Sequence, residues 1–250
     1  MSEPAARPLR IKEMTPTAIR DAARANPRLI VPIGTCEQHG AHLPVGSDTI
    51  VVERLADDLS MRLGMLIAPT IEFGVNDSMS RIMPGGASVR RKTLRRWIND
   101  LLGDWEKLEL DDILIITMNG FAPHTEALGT VLTRRARIRV LDVLGGVEFG
   151  DLIEHPDDPV HGGELDTSLV MYIRPDLVQI GHAADYILPD SYLRRYRRGA
   201  AVVVPAGSPG SVGRPSSASP EKGKRLYEFI LAQVVRTMAP PEGTTDHAHT

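Results

Sequence analysis

The feature that most constrains this chain is a short run with no polar residue in it. Between Asp112 and Thr117 stand Ile113, Leu114, Ile115 and Ile116. A strand with one wet face alternates apolar and polar side chains, so a continuous aliphatic run demands cover on both faces. That cover comes from the helical crossovers that parallel strands require. Leu29 to Ile33 has the same apolar character and ends at Gly34. Helical signals alternate with these runs. Thr15-Pro16 is a start signal for a helix to Ala25, with Thr as cap and Pro in the first turn. Val51, Leu55, Leu59 and Leu63 recur four apart on a helix predicted over 48–63. Met65 to Ala68 reads as a short buried strand, and a helix follows over 91–108 with Leu94, Ile98, Leu101, Leu102 and Trp105 as its apolar face. Trp97 is assigned to that apolar side as well. Further helices are expected over 125–136, after Ser168 to about Ile173 and up to Met238, with strands over 139–144 and 201–204.

The predicted fold is therefore a single α/β/α sandwich on a mainly parallel sheet, with any site at the carboxyl ends of the strands. Residues 11–238 form this domain, with a flexible lead-in over 1–10 and a flexible tail over 239–250 that carries His247 and His249. The 250 residues suffice for such a core. A net charge of −3 and 4% aromatic residues argue against nucleic acid or an anionic membrane as partners. No apolar run reaches the ~18 residues of a spanning helix. The first ten residues lack a secretory apolar segment, and one cysteine allows no internal disulfide, so a cytoplasmic protein is expected.

The chemistry concentrates just after the first core strand, in Gly34-Thr35-Cys36-Glu37-Gln38-His39-Gly40-Ala41-His42-Leu43-Pro44, followed by Asp48 at a helix start. Glu37 and His39 project to one side if the segment is extended. Carboxylate, imidazole and carboxylate converging at a strand end suit a zinc, manganese or iron ion. The competing reading is a polar loop with a helix cap at Ser47 or Asp48.

This stretch resembles the creatininase family of metal-dependent hydrolases, whose mark is Gly-x-x-Glu-x-His-Gly-x-His-Leu-Pro and then an Asp opening a helix. The resemblance implies an α/β/α fold and a two-metal site in which Glu37 and His39 bind different metals and Asp48 bridges them. It extends to Val160-His161-Gly162-Gly163-Glu164-Leu165-Asp166-Thr167-Ser168, similar to the family's His-Ala-Gly-Glu-x-Glu-Thr-Ser, and to Ala218-Ser219-Pro220-Glu221-Lys222-Gly223. It implies that Glu164 is a metal ligand or the base for a metal-activated water, with His161 as its catalytic partner. The loop over 71–89 resembles a family loop near the active site, against the alternative of a surface Ω-loop. His42, Ser80 and Asn119 are assigned as substrate contacts.

One departure stands out. The family has Asn-Gly-His-Gly-Gly-Asn after the central strand, with a metal-binding histidine. Here Asn119-Gly120 are followed by Phe121, which cannot coordinate. His124 is the candidate replacement ligand; a one-metal site, or His124 as an acid/base group, are the alternatives. Glu126 reads as a first-turn carboxylate favourable to the helix dipole. The basic run Arg90 to Arg96 reads as a solvated face or subunit contact, and Arg194 to Arg198 as a solvated loop, against an anionic-substrate or subunit contact.

The expected function is hydrolysis of a small cyclic amide, a formamide or a related cyclic carbonyl compound by a metal-activated water, with one or two divalent ions, zinc first, manganese or iron otherwise. Alternatives are a carbon–carbon hydrolase of an oxidised inositol (3-dehydro-scyllo-inosose type) and a non-catalytic or single-metal binding descendant. A one-metal isomerase or lyase is a third, weaker option. Creatinine itself is disfavoured because the family's creatinine-specific members use tryptophans around the substrate. The partner is a small molecule, and the family implies a homo-oligomer such as a hexamer.

Overall fold

In the computed structural model, residues 7–76, 84–158, 161–192 and 207–238 are described. In chain order the elements are β1 (Leu9–Arg10), α1 (Pro16–Ala25), β2 (Arg28–Ile33), α2 (Ser47–Leu63), β3 (Leu66–Ile67), α3 (Arg91–Trp105), β4 (Asp112–Thr117), α4 (Ala122–Gly129), β5 (Arg137–Asp142), α5 (Glu164–Ile173) and α6 (Pro220–Met238). The start signal of α1 works as its residue types dictate: the Ala18 amide donates to Thr15 Oγ1 at 3.3 Å. Gly64 ends α2 in the left-handed conformation at φ 64°, which only glycine reaches without cost.

The strands pair in parallel in the order β1-β3-β2-β4-β5. Ile30 lies opposite Leu114, Ile33 opposite Thr117, and Thr117 opposite Asp142. The aliphatic runs divide their side chains between two cores. Ile30, Leu114 and Ile116 pack with Val51, Leu55 and Leu59 of α2, Leu169 of α5 and Leu226 and Ile230 of α6. Leu29, Val31, Ile33, Ile113 and Ile115 pack with Ala23 of α1, Leu94, Ile98 and Leu102 of α3 and Leu128 of α4. This is the three-layer sandwich the doubly covered strands demand.

Three expectations are corrected. Leu9 and Arg10 belong to the sheet rather than to a flexible lead-in. The Leu9 amide donates to Ser60 Oγ at 2.9 Å and Arg10 Nε to Asp57 at 2.8 Å, so a two-residue edge strand is anchored by side chains of α2. Helix α4 begins at Ala122 and stops at Gly129, earlier at both ends than expected, because Pro123 is well placed in a first turn, where no amide is needed. Trp97 is 38% exposed and lies outside the apolar face of α3, whereas Trp105 packs against the core. The predicted strand over 201–204, the basic run 194–198 and the tail from 239 lie outside the described residues.

Helices α5 and α6 meet without a side chain between them. A Cβ on Gly223 would stand 1.9 Å from the Ser168 carbonyl oxygen. Gly223→Ala must therefore push the two helices apart, and we expect a loss of roughly 1–3 kcal/mol, read as a lowered thermal unfolding midpoint.

Candidate active site

The chain leaves β2 at Ile33 and turns immediately back over the start of α2. Gly34 permits this: a Cβ there would stand 2.1 Å from Thr49 Oγ1. The close approach puts Thr35 against Asp48, whose Oδ2 accepts the Thr35 hydroxyl hydrogen bond. On the other side Asp48 Oδ1 lies 3.2 Å from His39 Nε2. The loop between is braced by the Glu37 amide donating to the Val45 carbonyl at 2.9 Å. Gly46 occupies the cap position of α2 without a side-chain bond, and Ser47 Oγ donates to the Pro44 carbonyl at 2.7 Å. Asp48 is thus spent on the cluster and not on capping.

Strand β4 brings Asn119 to the same point. Its Nδ2 donates to Glu37 Oε2 at 2.8 Å and to Asp48 Oδ2 at 3.3 Å, and its Oδ1 accepts from the Phe121 amide at 3.2 Å. Asn119 therefore orients the Glu37 and Asp48 carboxylates. Asp142, at the end of the neighbouring β5, holds this turn by accepting from the Gly120 amide at 2.9 Å. From the opposite side, His161 stacks on His39 with ring centroids 4.9 Å apart, and its Nδ1 lies 4.0 Å from Glu37 Oε1.

Asp166 completes the cluster. It is buried in the first turn of α5, accepts from the Gly162 amide at 2.6 Å, and interacts electrostatically with His39 and Asp48. Glu164, two residues earlier, does not join it. Its carboxylate accepts from the Glu154 amide at 3.0 Å and the His155 amide at 3.2 Å and pairs with Lys222 Nζ at 2.7 Å. Residues two apart on a helix lie about 200° round its axis, so Glu164 and Asp166 cannot serve one site. The expected roles of Glu164 as ligand and as catalytic base are corrected: it clamps α5 to α6 and to the 154–155 turn. Glu164 and the Ser168 backbone on α5, with Lys222 and Gly223 on α6, form one packing device.

His124 is likewise corrected. It is fully buried; its Nδ1 accepts from the Val75 amide at 3.1 Å, which leaves Nε2–H to donate to Thr117 Oγ1 at 3.0 Å. Both nitrogens are occupied, so it offers no lone pair to a ligand. Phe121 turns into the core between sheet, α3 and α4. Glu126 pairs with Arg91 at 2.5 Å on the surface. His42 is buried, with Nε2 against Thr167 Oγ1 at 2.9 Å and the Gly162 backbone beside its ring. Ser80 lies outside the described residues. Sequence reasoning passed over Thr35, Gln38, Asp142 and the site role of Asp166; only the position of Asp166 beside a family-like motif signalled it.

The electrostatics follow from three carboxylates around one imidazole. Relative exposures are 4% for Glu37 and His39, 2% for Asp48 and 3% for Asp166. Burial alone would depress the His39 imidazole, but Asp48, then Asp166 and Glu37, hold it up at about 10. Burial would raise Asp48, yet His39, Thr35 and Asn119 hold it below the usual carboxylate range. Burial, helped by Asp48, raises Asp166 against the pull of His39. Burial and the charge on His39 push His161 down to about 3 and His42 to about 4, and burial takes His124 to about 4.

Buried acidic groups in excess of their cationic partner cost several kcal/mol each, and a divalent cation offsets that cost. Carboxylates with an imidazole are also donors that zinc, manganese and iron accept. Glu37, His39, Asp48 and Asp166 therefore fit such an ion chemically. As they stand, no three His, Cys, Asp or Glu side chains among the described residues are disposed to share one ion; His39 and Asp48 bond to each other, and the Asn119 amide bridges the acids.

A family model described as Creatininase, creatinine amidohydrolase, matches residues 12–238. The chain is 24% identical over 246 residues to a 3-dehydro-scyllo-inosose hydrolase of Thermotoga maritima, covering 87% of this chain and 78% of that one. It is 24% identical over 239 residues to a creatinine amidohydrolase of Pseudomonas putida (85% and 90% covered). A mycofactocin precursor peptide peptidase of Mycobacterium ulcerans is 26% identical over 237 residues (87% and 88% covered). A solved structure titled Creatininase Mn superposes with a TM-score of 0.75 at 21% identity, covering 94% of this chain and 100% of that one.

Two outcomes follow from this geometry. Lys222→Met strands the buried Glu164 carboxylate and should cost ~3–5 kcal/mol, while the double change Lys222→Met with Glu164→Gln should cost less than the single one; denaturant titration measures both. Unfolded histidine titrates near 6.5 and His124 in the fold near 4, so the unfolded chain takes up the proton first. The contribution of neutral His124 is whole above pH 6.5 and is lost as pH falls toward 4. His124→Gln should flatten that part of the stability–pH curve relative to the parent chain.

Proposed function

Because the chain belongs to the creatininase family of hydrolases, we propose that it uses a divalent cation held by Glu37, His39, Asp48 and Asp166 to hydrolyse a small carbonyl compound. The observation that carries this reading is the set of buried carboxylates around His39, a charge arrangement that a dication completes. The titles of two solved creatininases name manganese and a Zn-Zn type, which supports zinc or manganese. When bound, such an ion acidifies water toward a pKa of ~7 and polarises a carbonyl oxygen.

The protein's own residues prepare this chemistry. Asn119 and Thr35 fix the carboxylate oxygens of Glu37 and Asp48, and such partners set ligand direction. The ring of His161 stacks on that of His39 and covers one face of it. Within the substrate class, a cyclic amide or formamide is the first reading. The oxidised-inositol reading is the second, favoured by the similarity to the Thermotoga hydrolase. Phe121, turned into the core, and His124, satisfied by the protein, favour one ion over two.

Metal analysis of protein refolded or purified with excess zinc or manganese should give about one ion per chain. His39→Ala and Asp48→Ala should abolish it. Asn119→Ala should weaken metal affinity by the ~10–100-fold that disturbing a ligand's partners costs. Turnover of creatinine, 3-dehydro-scyllo-inosose and a short peptide amide should require the ion; full activity after chelation would end the proposal.

A further inference from the structure

Asn119 is aimed at the cluster by the backbone around it, and part of that support comes from another strand. Its Oδ1 accepts from the Phe121 amide at 3.2 Å. A backbone amide only donates, so this contact fixes which way round the side-chain amide lies. Nδ2 must then face Glu37 Oε2 at 2.8 Å and Asp48 Oδ2 at 3.3 Å. The turn runs through Gly120 at φ 69°, a left-handed conformation that glycine reaches without cost. Phe121, packed against the core, anchors the amide that Asn119 needs. Asp142, the last residue of β5, holds the same turn from outside. Its Oδ2 accepts from the Gly120 amide at 2.9 Å, and it bonds the Asn119 backbone amide as well. Its Oδ1 accepts from the Leu144 amide at 3.1 Å. Each of these partners is backbone, and none belongs to Glu37, His39, Asp48 or Asp166.

We propose that Asp142 is a positioning residue for the cation site: it holds the Asn119–Gly120 turn, and through the Asn119 amide it sets the direction of two carboxylates that it does not touch. The proposal rests on the cation reading above and adds to it a residue from β5. A carboxylate already held in direction need not be ordered when an ion arrives, so the hold is read as affinity. Charge acting through space is the competing route, since Asp142 also interacts electrostatically with Asp48. The two routes part on substitution. Removing the Asn119 side chain ends the first and leaves the second whole. Straining Gly120 disturbs the first and leaves the Asp142 charge in place. A Cβ on Gly120 meets nothing within 4 Å, so Gly120→Ala acts on the turn through its φ angle alone.

The test is calorimetric titration of the full chain with zinc or manganese, run as a double-substitution cycle. Asp142→Asn keeps the volume but turns an N–H toward one of the two amides that the carboxylate oxygens accept from. Affinity should fall about tenfold, the lower end of what disturbing a ligand's partners costs. Gly120→Ala should lower it too, and it carries the test alone if Asp142→Asn does not fold. In an Asn119→Ala background either substitution should change the affinity by less than the roughly twofold within which independent effects add. An equal loss in both backgrounds, or an unchanged affinity when Asn119 is present, overturns the proposal. A parent chain that binds neither ion sinks the cation reading instead. The hold is then read without metal from the nitrogen-15 signal of the Asn119 side-chain amide, identified by its loss in Asn119→Ala. Both substitutions should move that signal toward its position in an unfolded chain, and a signal that neither moves overturns the proposal.

Discussion

The buried pair between His39 and Asp48 is the contact on which the site depends. It ties the loop after β2 to the first turn of α2, and it does so where water cannot screen or replace it. Two desolvated charges are costly in themselves, and here the cost is compounded by two further carboxylates, Glu37 and Asp166. The arrangement persists because each acid has a donor aimed at it. Thr35 and Asn119 serve Asp48, Asn119 also serves Glu37, and the Gly162 amide serves Asp166. Such a set of fixed donors holds surplus negative charge in place around a single imidazole.

The sandwich supplies the precision. Thr117 of β4 stands opposite Ile33 of β2 on one side and Asp142 of β5 on the other, so the loops after three neighbouring strands leave the sheet at one level. Asn119 and Asp142 are delivered by that register. Helix α5 adds Asp166 from across the cluster, and its own position is set by the Glu164–Lys222 pair and by the bare backbone of Gly223 against Ser168. A change in α6 can therefore move a site residue that α6 never touches.

The histidines divide by what surrounds them. His39, among acids, holds its proton; His42, His124 and His161, buried away from acids or beside the charged His39, give theirs up. One residue type thereby provides one charged group and three neutral ones.

Much of this was legible in the residues. Uninterrupted aliphatic runs can only be buried on both faces, which gave the parallel sheet and its helical layers. The spacing from Gly34 to Asp48 gave the strand-to-helix crossover that carries Glu37 and His39. What the residues could not give was the side of α5 that faces the cluster. Glu164 and Asp166 are chemically equivalent on the page, and only the packing of α5 on α6 sends one to Lys222 and the other to His39. The same holds for His124: that its ring is buried and satisfied depends on where Pro123 starts the helix and on the Val75 amide that meets it. Local pattern determined that acids and imidazoles gather at the strand ends; tertiary packing decided which of them, because a side chain's direction is set by what it is packed against.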